Sequence, residues 1–196
     1  MELEVIKLEH VPDSYTVHLA LFRDVKNAAF LHQQLLARNS DFEYAFVDAS
    51  VVVSRMQLLA AVFKATNAAA NGALQTPNIH SETVASLSPS NNIADAYRRF
   101  GISPTTKDLL VVKITFPTEA RPQPAPTESI AKHLQENVEG ISVPASDDNI
   151  AACADMAKVR KYYKLNGINW LNTPDQAEGK KQIEGLILGS MALRGV

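Results

Sequence analysis

Leu109-Leu110-Val111-Val112-Lys113-Ile114-Thr115-Phe116 is the stretch that sets the fold class. It is an apolar, largely β-branched run broken by a single charge, and it reads as the strongest strand of the chain. Upstream, Tyr15-Thr16-Val17-His18-Leu19-Ala20-Leu21-Phe22 alternates and is also rich in strand formers. Tyr44-Ala45-Phe46-Val47 is a shorter apolar run that fits a buried strand, and Ser81 to Leu87 alternates weakly and reads as another.

Helical spacing separates these runs. Asp24 is expected to cap a helix whose inner face is Val25, Ala28, Leu31 and Leu35. Ser54-Arg55-Met56-Gln57 has the capping-box spacing, with Leu58, Leu59, Val62 and Phe63 as a wide stripe and Asn71-Gly72 as the stop. Asn92 reads as the cap of a third helix, with Asp95 three residues on and Ile93, Ala96, Tyr97 and Phe100 on one face. Gly101 should close it, leaving Arg98 and Arg99 in solvent. Pro117, Pro122, Pro124 and Pro126 mark 117–126 as a surface connection. Beyond it, helices are predicted over 128–138, 147–165 and 176–193, with a loop containing Trp170 between the last two. Strands alternating with helices and then a helical C-terminal part imply an α/β (α+β) domain, with a mixed central sheet flanked by helices.

The 196 residues are 46% hydrophobic and 20% charged, which suits one domain spanning 1–196 and excludes a disordered chain. No run approaches a membrane span and the N-terminus has no signal-peptide pattern, so the expectation is a soluble intracellular protein. One cysteine, Cys153, excludes an internal disulfide and a cysteine-rich zinc site. A formal charge of −2 argues against coating nucleic acid by bulk charge.

Chemical motifs are conspicuous by absence. No phosphate-binding glycine pattern and no nucleophile elbow can be written on the chain. His10, His18, His32, His80 and His133 are scattered, so no metal or cofactor is expected. His18 reads as structural, Cys153 as a buried inert thiol, and Asp147-Asp148 as the acidic start of a helix.

Two features suggest recognition instead. Ser88-Pro89-Ser90-Asn91-Asn92 leads into a helix start, where free N–H groups favour an anion, with Arg98 and Arg99 beyond; ordinary capping is the plainer alternative. The C-terminal helix carries an apolar stripe, Ile183, Leu186, Ile187 and Met191, and holds Gly185 and Gly189 four apart. That stripe either packs on the protein's own sheet or serves a partner.

The chain resembles the PRPK-binding (TPRKB-type) family, the small kinase-associated subunit of the KEOPS/EKC complex. The likeness is carried by the order and spacing of Leu19-Ala20-Leu21-Phe22-Arg23-Asp24-Val25-Lys26-Asn27, Phe46-Val47-Asp48, the run from Leu87 through Tyr97 with Phe100-Gly101-Ile102, then Val159-Arg160-Lys161-Tyr162-Tyr163-Lys164-Leu165, and the tail Ala192-Leu193-Arg194-Gly195-Val196. Residues 117–126 and the loop around Trp170 look like insertions relative to shorter members.

The resemblance implies a non-catalytic subunit, nuclear and cytoplasmic, that binds the PRPK-type atypical kinase/ATPase. Through that kinase it would meet the threonylcarbamoyl-transferase subunit. It would also help recruit tRNA by its 3′ CCA end for threonylcarbamoyl-adenosine (t6A) formation, with a telomere-linked role in fungi. On that footing Ile183, Leu186, Ile187, Met191, Leu193 and Arg194 are the expected kinase contacts. Ser88, Asn91, Asn92, Arg98 and Lys64 are the expected tRNA contacts. The competing readings are a small enzyme whose site assembles only in three dimensions, and an RNA-only binding module.

Overall fold

The structure, a computed structural model, describes residues 1–119, 121–168 and 176–194. A five-stranded sheet is at its centre, built from β1 (Glu4–Ile6), β2 (Thr16–Arg23), β3 (Ala45–Asp48), β4 (Leu109–Thr115) and β5 (Ile141–Val143). The order is β1-β2-β4-β3, and β5 joins β2 beyond β1 on the same edge. The α+β class is as expected, but every pairing is antiparallel, so the sheet is not mixed in strand direction.

Alternation along the strands explains both layers. Val17, Leu19, Leu21, Leu110, Val112 and Ile114 face one core, which is covered by α2 (Arg55–Ala70), α3 (Ile79–Ser86), α6 (Asp147–Cys153), α7 (Met156–Tyr162) and α8 (Gln176–Ala192). Ala20, Phe22, Phe46, Leu109 and Val111 face the other, covered by α1 (Ala28–Leu36) and α5 (Thr127–Asn137). Helices on both faces are why β2 and β4 read as nearly continuous apolar runs although their neighbours are antiparallel. On the face of β2 toward α5, His18 is buried opposite Lys113, with Nε2 at 3.1 Å from the Thr127 hydroxyl, and burial pushes its pKa down.

Side-chain caps set most helix starts. Ser54 Oγ accepts from the Gln57 amide at 3.1 Å, while Gln57 Oε1 accepts from the Val53 amide at 2.8 Å, one residue earlier than the predicted box. Asn92 Oδ1 accepts from the Asp95 amide at 3.0 Å and opens α4 (Ile93–Phe100), as expected. Asp24 does not cap α1. Its φ is +53°, and its amide donates to Asp108 Oδ1. Asn27 holds the cap position, but its side chain is spent on the Asn137 carbonyl and the Glu139 amide.

Two further expectations need correcting. Residues 81–87 are not a strand: 81–86 belong to α3, capped by Asn78 Oδ1 on the Ser81 amide at 2.8 Å, and Leu87 ends it. The predicted helix over 147–165 is two helices. Asp155 breaks it, donating its amide to the Ser50 carbonyl at 2.8 Å while its carboxylate caps Ala157 and Lys158. The loop containing Trp170 falls largely outside the described residues.

β3 is an edge strand, and the chain covers it. The Ile102 amide donates to the Phe46 carbonyl at 2.9 Å, and Gly101 bridges to Val47. A Cβ on Gly101 would lie 2.7 Å from the Tyr97 carbonyl oxygen, so the chain's exit from the preceding helix requires glycine.

Candidate functional site

The C-terminal end of α8 returns to α2 and α3, and the loop before α4 meets them there. Lys64 on α2, Glu82 on α3, Asn91 in the loop and Arg194 after α8 line a cavity of about 140 Å³. Lys64 Nζ donates to the carbonyls of Met191 and Arg194 at 3.1 and 3.4 Å, a cation on the negative end of a helix. Arg194 is buried. Its Nη1 donates to the Ala85 carbonyl, and its Nη2 meets no acceptor among the described residues. Glu82 is buried too, its Oε2 accepting from the amides of Gln75 and Thr76 at 3.0 and 2.9 Å.

Burial lowers the pKa of both cations. For Lys64 the Arg194 charge adds to the effect, and Glu82 opposes it in both. Two cations against one carboxylate make a small acceptor-seeking cleft.

Of the expected tRNA contacts, Lys64 and Asn91 line this cleft and the others do not. Ser88 is buried and its Oγ accepts from the Ser90 amide, which shapes the loop. Asn92 spends its side chain on the cap. Arg98 faces another cavity and is paired with Asp95. Arg99 is not in free solvent: it bonds Asp95 at 2.8 Å and lies 5.2 Å from the Tyr162 ring centre.

The expected kinase contacts divide as well. Ile183, Ile187 and Met191 are buried in the protein's own core, with Leu186 packed half-buried against it, so the apolar stripe of α8 faces inward. Arg194 belongs to the cleft rather than to an outer surface. Leu193 is 68% exposed. Gly185 and Gly189 lie on the outward side: a Cβ on either would meet nothing within 4 Å.

Sequence reasoning missed Glu82. Its available signal was Asn78 three residues before Ser81, a helix cap followed by an acid in the first turn. Cys153 is buried, its Sγ donating to the Asn149 carbonyl at 3.2 Å, and burial pushes the thiol up to about 11. Among the described residues no histidine is hydrogen-bonded to a carboxylate. No group of three His, Cys, Asp or Glu side chains there could hold a metal ion, and no helix is long and apolar enough to cross a membrane.

Comparison with known proteins gives a consistent result. The profile of the family described as Kinase binding protein CGI-121 matches residues 22–195. A protein of Gibberella zeae named EKC/KEOPS complex subunit CGI121 is 62% identical over the whole of both chains. The Neurospora crassa protein of the same name is 48% identical, again over the whole of both. A Schizosaccharomyces pombe protein, also so named, is 32% identical over 91% of this chain and 93% of its own. Matched along most of its length, the chain belongs to the CGI-121 kinase-binding protein family.

Proposed function

We propose that this protein is a non-catalytic docking subunit of an EKC/KEOPS-type complex, working in the nucleus and cytoplasm. It binds the PRPK-type kinase/ATPase through the outward face of α8, around Gly185, Gly189 and Leu193. Through the kinase it joins the threonylcarbamoyl-transferase subunit. It also holds the 3′ CCA end of tRNA at the cleft of Lys64, Asn91 and Arg194, which serves t6A formation. The names of its relatives and the description of its family support this reading.

The observation that carries the docking face is the outward pair of glycines. Each costs about 1 kcal/mol relative to alanine inside a helix. Nothing within 4 Å of either position requires the missing side chain. A helix so trimmed on its open side lets another backbone come close, with Leu193 beside it as an apolar anchor. The cleft suits an RNA terminus because it offers donors to phosphate and base edges.

The test is co-purification with the kinase and binding to tRNA, measured on the same variants. Gly189→Arg and Leu193→Glu should abolish kinase capture and leave the chain folded and tRNA binding unchanged. Lys64→Glu should weaken the gel-shift of intact tRNA and leave kinase capture intact, and trimming the CCA end should weaken the wild type equally. Undiminished kinase capture by both α8 variants refutes the docking face.

A further inference from the structure

The outer side of α1 carries no charge. From Ala28 to Ala37 the chain reads Ala-Ala-Phe-Leu-His-Gln-Gln-Leu-Leu-Ala, without a lysine, arginine, aspartate or glutamate. Ala28 and Leu31 are buried in the core beneath α1 and α5, and Leu35 packs on it, which accounts for the inner side. The outer side is Ala29, Phe30, Gln33, Leu36 and Ala37, all exposed, with Phe30 at 41% and Leu36 at 71%. A surface helix normally turns charge to water, and an apolar face in its place marks a contact site.

These five residues are arranged symmetrically. At about 100° per residue they occupy about one third of the helix circumference, with Gln33 at the centre. Ala29 and Ala37 stand at equal distances either side of it in sequence, as do Phe30 and Leu36. A two-fold axis through Gln33, perpendicular to the helix, therefore lays Phe30 of one copy on Leu36 of the other, and Ala29 on Ala37, each contact occurring twice. Gln33 meets its own counterpart on the axis. Its side-chain amide bonds no other described residue, whereas the neighbouring Gln34 takes the Asn39 amide at 2.8 Å. An amide carries both donor and acceptor, so two of them related by the axis satisfy each other. Phe30 is already held edge-on against Phe42, ring centres 5.6 Å apart, so it loses little freedom when covered.

Electrostatics select the same occupant. A partner with charges on its contact surface would bury them here without an answering charge. A second α1 brings none, and running antiparallel it sets the positive end of each helix dipole against the negative end of the other.

We propose that α1 is a self-association surface, through which two copies of this chain pack antiparallel about Gln33. A nine-residue helix is about 14 Å long, so the contact falls short of the roughly 1,200 Å² of a durable interface and the dimer is weak. α1 and α8 cover opposite faces of the sheet, so the surfaces proposed for kinase and tRNA stay open in the pair.

The test is sedimentation equilibrium of the full chain between about 5 and about 500 µM. Reversible dimerisation with a dissociation constant on the order of 100 µM is expected, and Leu36→Glu should weaken it by about tenfold or more while leaving kinase capture unchanged. Mild oxidation should join Gln33→Cys chains to one another, leave Ala29→Cys chains unjoined, and join a mixture of Ala29→Cys with Ala37→Cys. Cys153 is buried and stays out of this reaction. A monomer at the highest concentration, a dimer indifferent to Leu36→Glu, or disulfide formation by Ala29→Cys as fast as by Gln33→Cys each overturns the proposal. Loss of kinase capture by Leu36→Glu overturns it too, because the kinase then occupies this face. All the substituted positions are exposed, so the variants leave the core intact.

Discussion

Lys64 Nζ donates to the carbonyl of Arg194, so a cation from α2 closes the C-terminal end of α8 while the arginine's own guanidinium turns inward to Ala85. Replacing Lys64 by Met therefore removes two hydrogen bonds to carbonyls and a favourable charge at a helix end. The isolated chain should lose about 1–2 kcal/mol, read from the urea midpoint. The affinity for CCA-ended RNA should also show a smaller salt slope.

Gly185→Ala should act in opposite directions on two measurements. Open space surrounds the position, so the isolated chain gains about 1 kcal/mol, a rise of roughly 2–4 °C in Tm. Kinase affinity falls, because the added methyl group holds the partner backbone away. Both are measured on one preparation, by calorimetry and by titration with the kinase.

A residue inside α8 and one just past its end should differ sharply in what they contribute to stability. Ile187 is fully buried, and Ile187→Ala should cost about 2–5 kcal/mol by leaving a cavity. Leu193 is 68% exposed, and Leu193→Ala should change stability by less than about 0.5 kcal/mol. Chemical denaturation of the two variants distinguishes core from surface at this end of the chain.

Acid should destabilise the fold through its histidines. His80, His18 and His133 all have pKa values pushed down, chiefly by burial, and His80 most strongly. Below the ordinary histidine pKa the unfolded chain takes up protons that the folded chain refuses. This stability is therefore present above about pH 6.5 and is lost as pH falls below it. For His80 the slope approaches about 1.4 kcal/mol per pH unit. His80→Gln keeps an acceptor for the Ile114 amide but does not titrate, so its unfolding free energy should vary less steeply between pH 7 and pH 5.

Cys153 should be unreactive. A thiol pushed up to about 11 is almost wholly protonated at neutral pH, and its side chain is buried. Iodoacetamide should label it only as fast as the chain opens, and labelling should become rapid in urea.

The parts of the fold legible in the sequence are those whose burial leaves a period. Leu109–Thr115 and Thr16–Arg23 are nearly continuous apolar runs because both faces of the sheet are covered, and α2 and α4 announce themselves by their caps. α3 was not legible. Seven of its eight residues are buried, several of them polar, so it has no solvent face to give a helical rhythm. The break at Asp155 depends on the Ser50 carbonyl, more than a hundred positions away, which no local pattern contains.

At the cleft, Lys64 and Asn91 were singled out together in the sequence, while Arg194 was grouped with the α8 stripe, since the direction of a residue just past a helix end is settled by what the helix packs on. For α8 the stripe and the glycines were both visible. Which of them faced outward depended on where the core lay.

The passage of Gly101 and Ile102 alongside β3 bears on how free copies of the chain meet one another. A lone subunit with an open β-margin invites another chain to add on, the usual route to fibrils and precipitates. Along β3 the strip that would template such growth is met by the protein's own backbone. The β3 margin thus gives a second copy of the chain little to grow on.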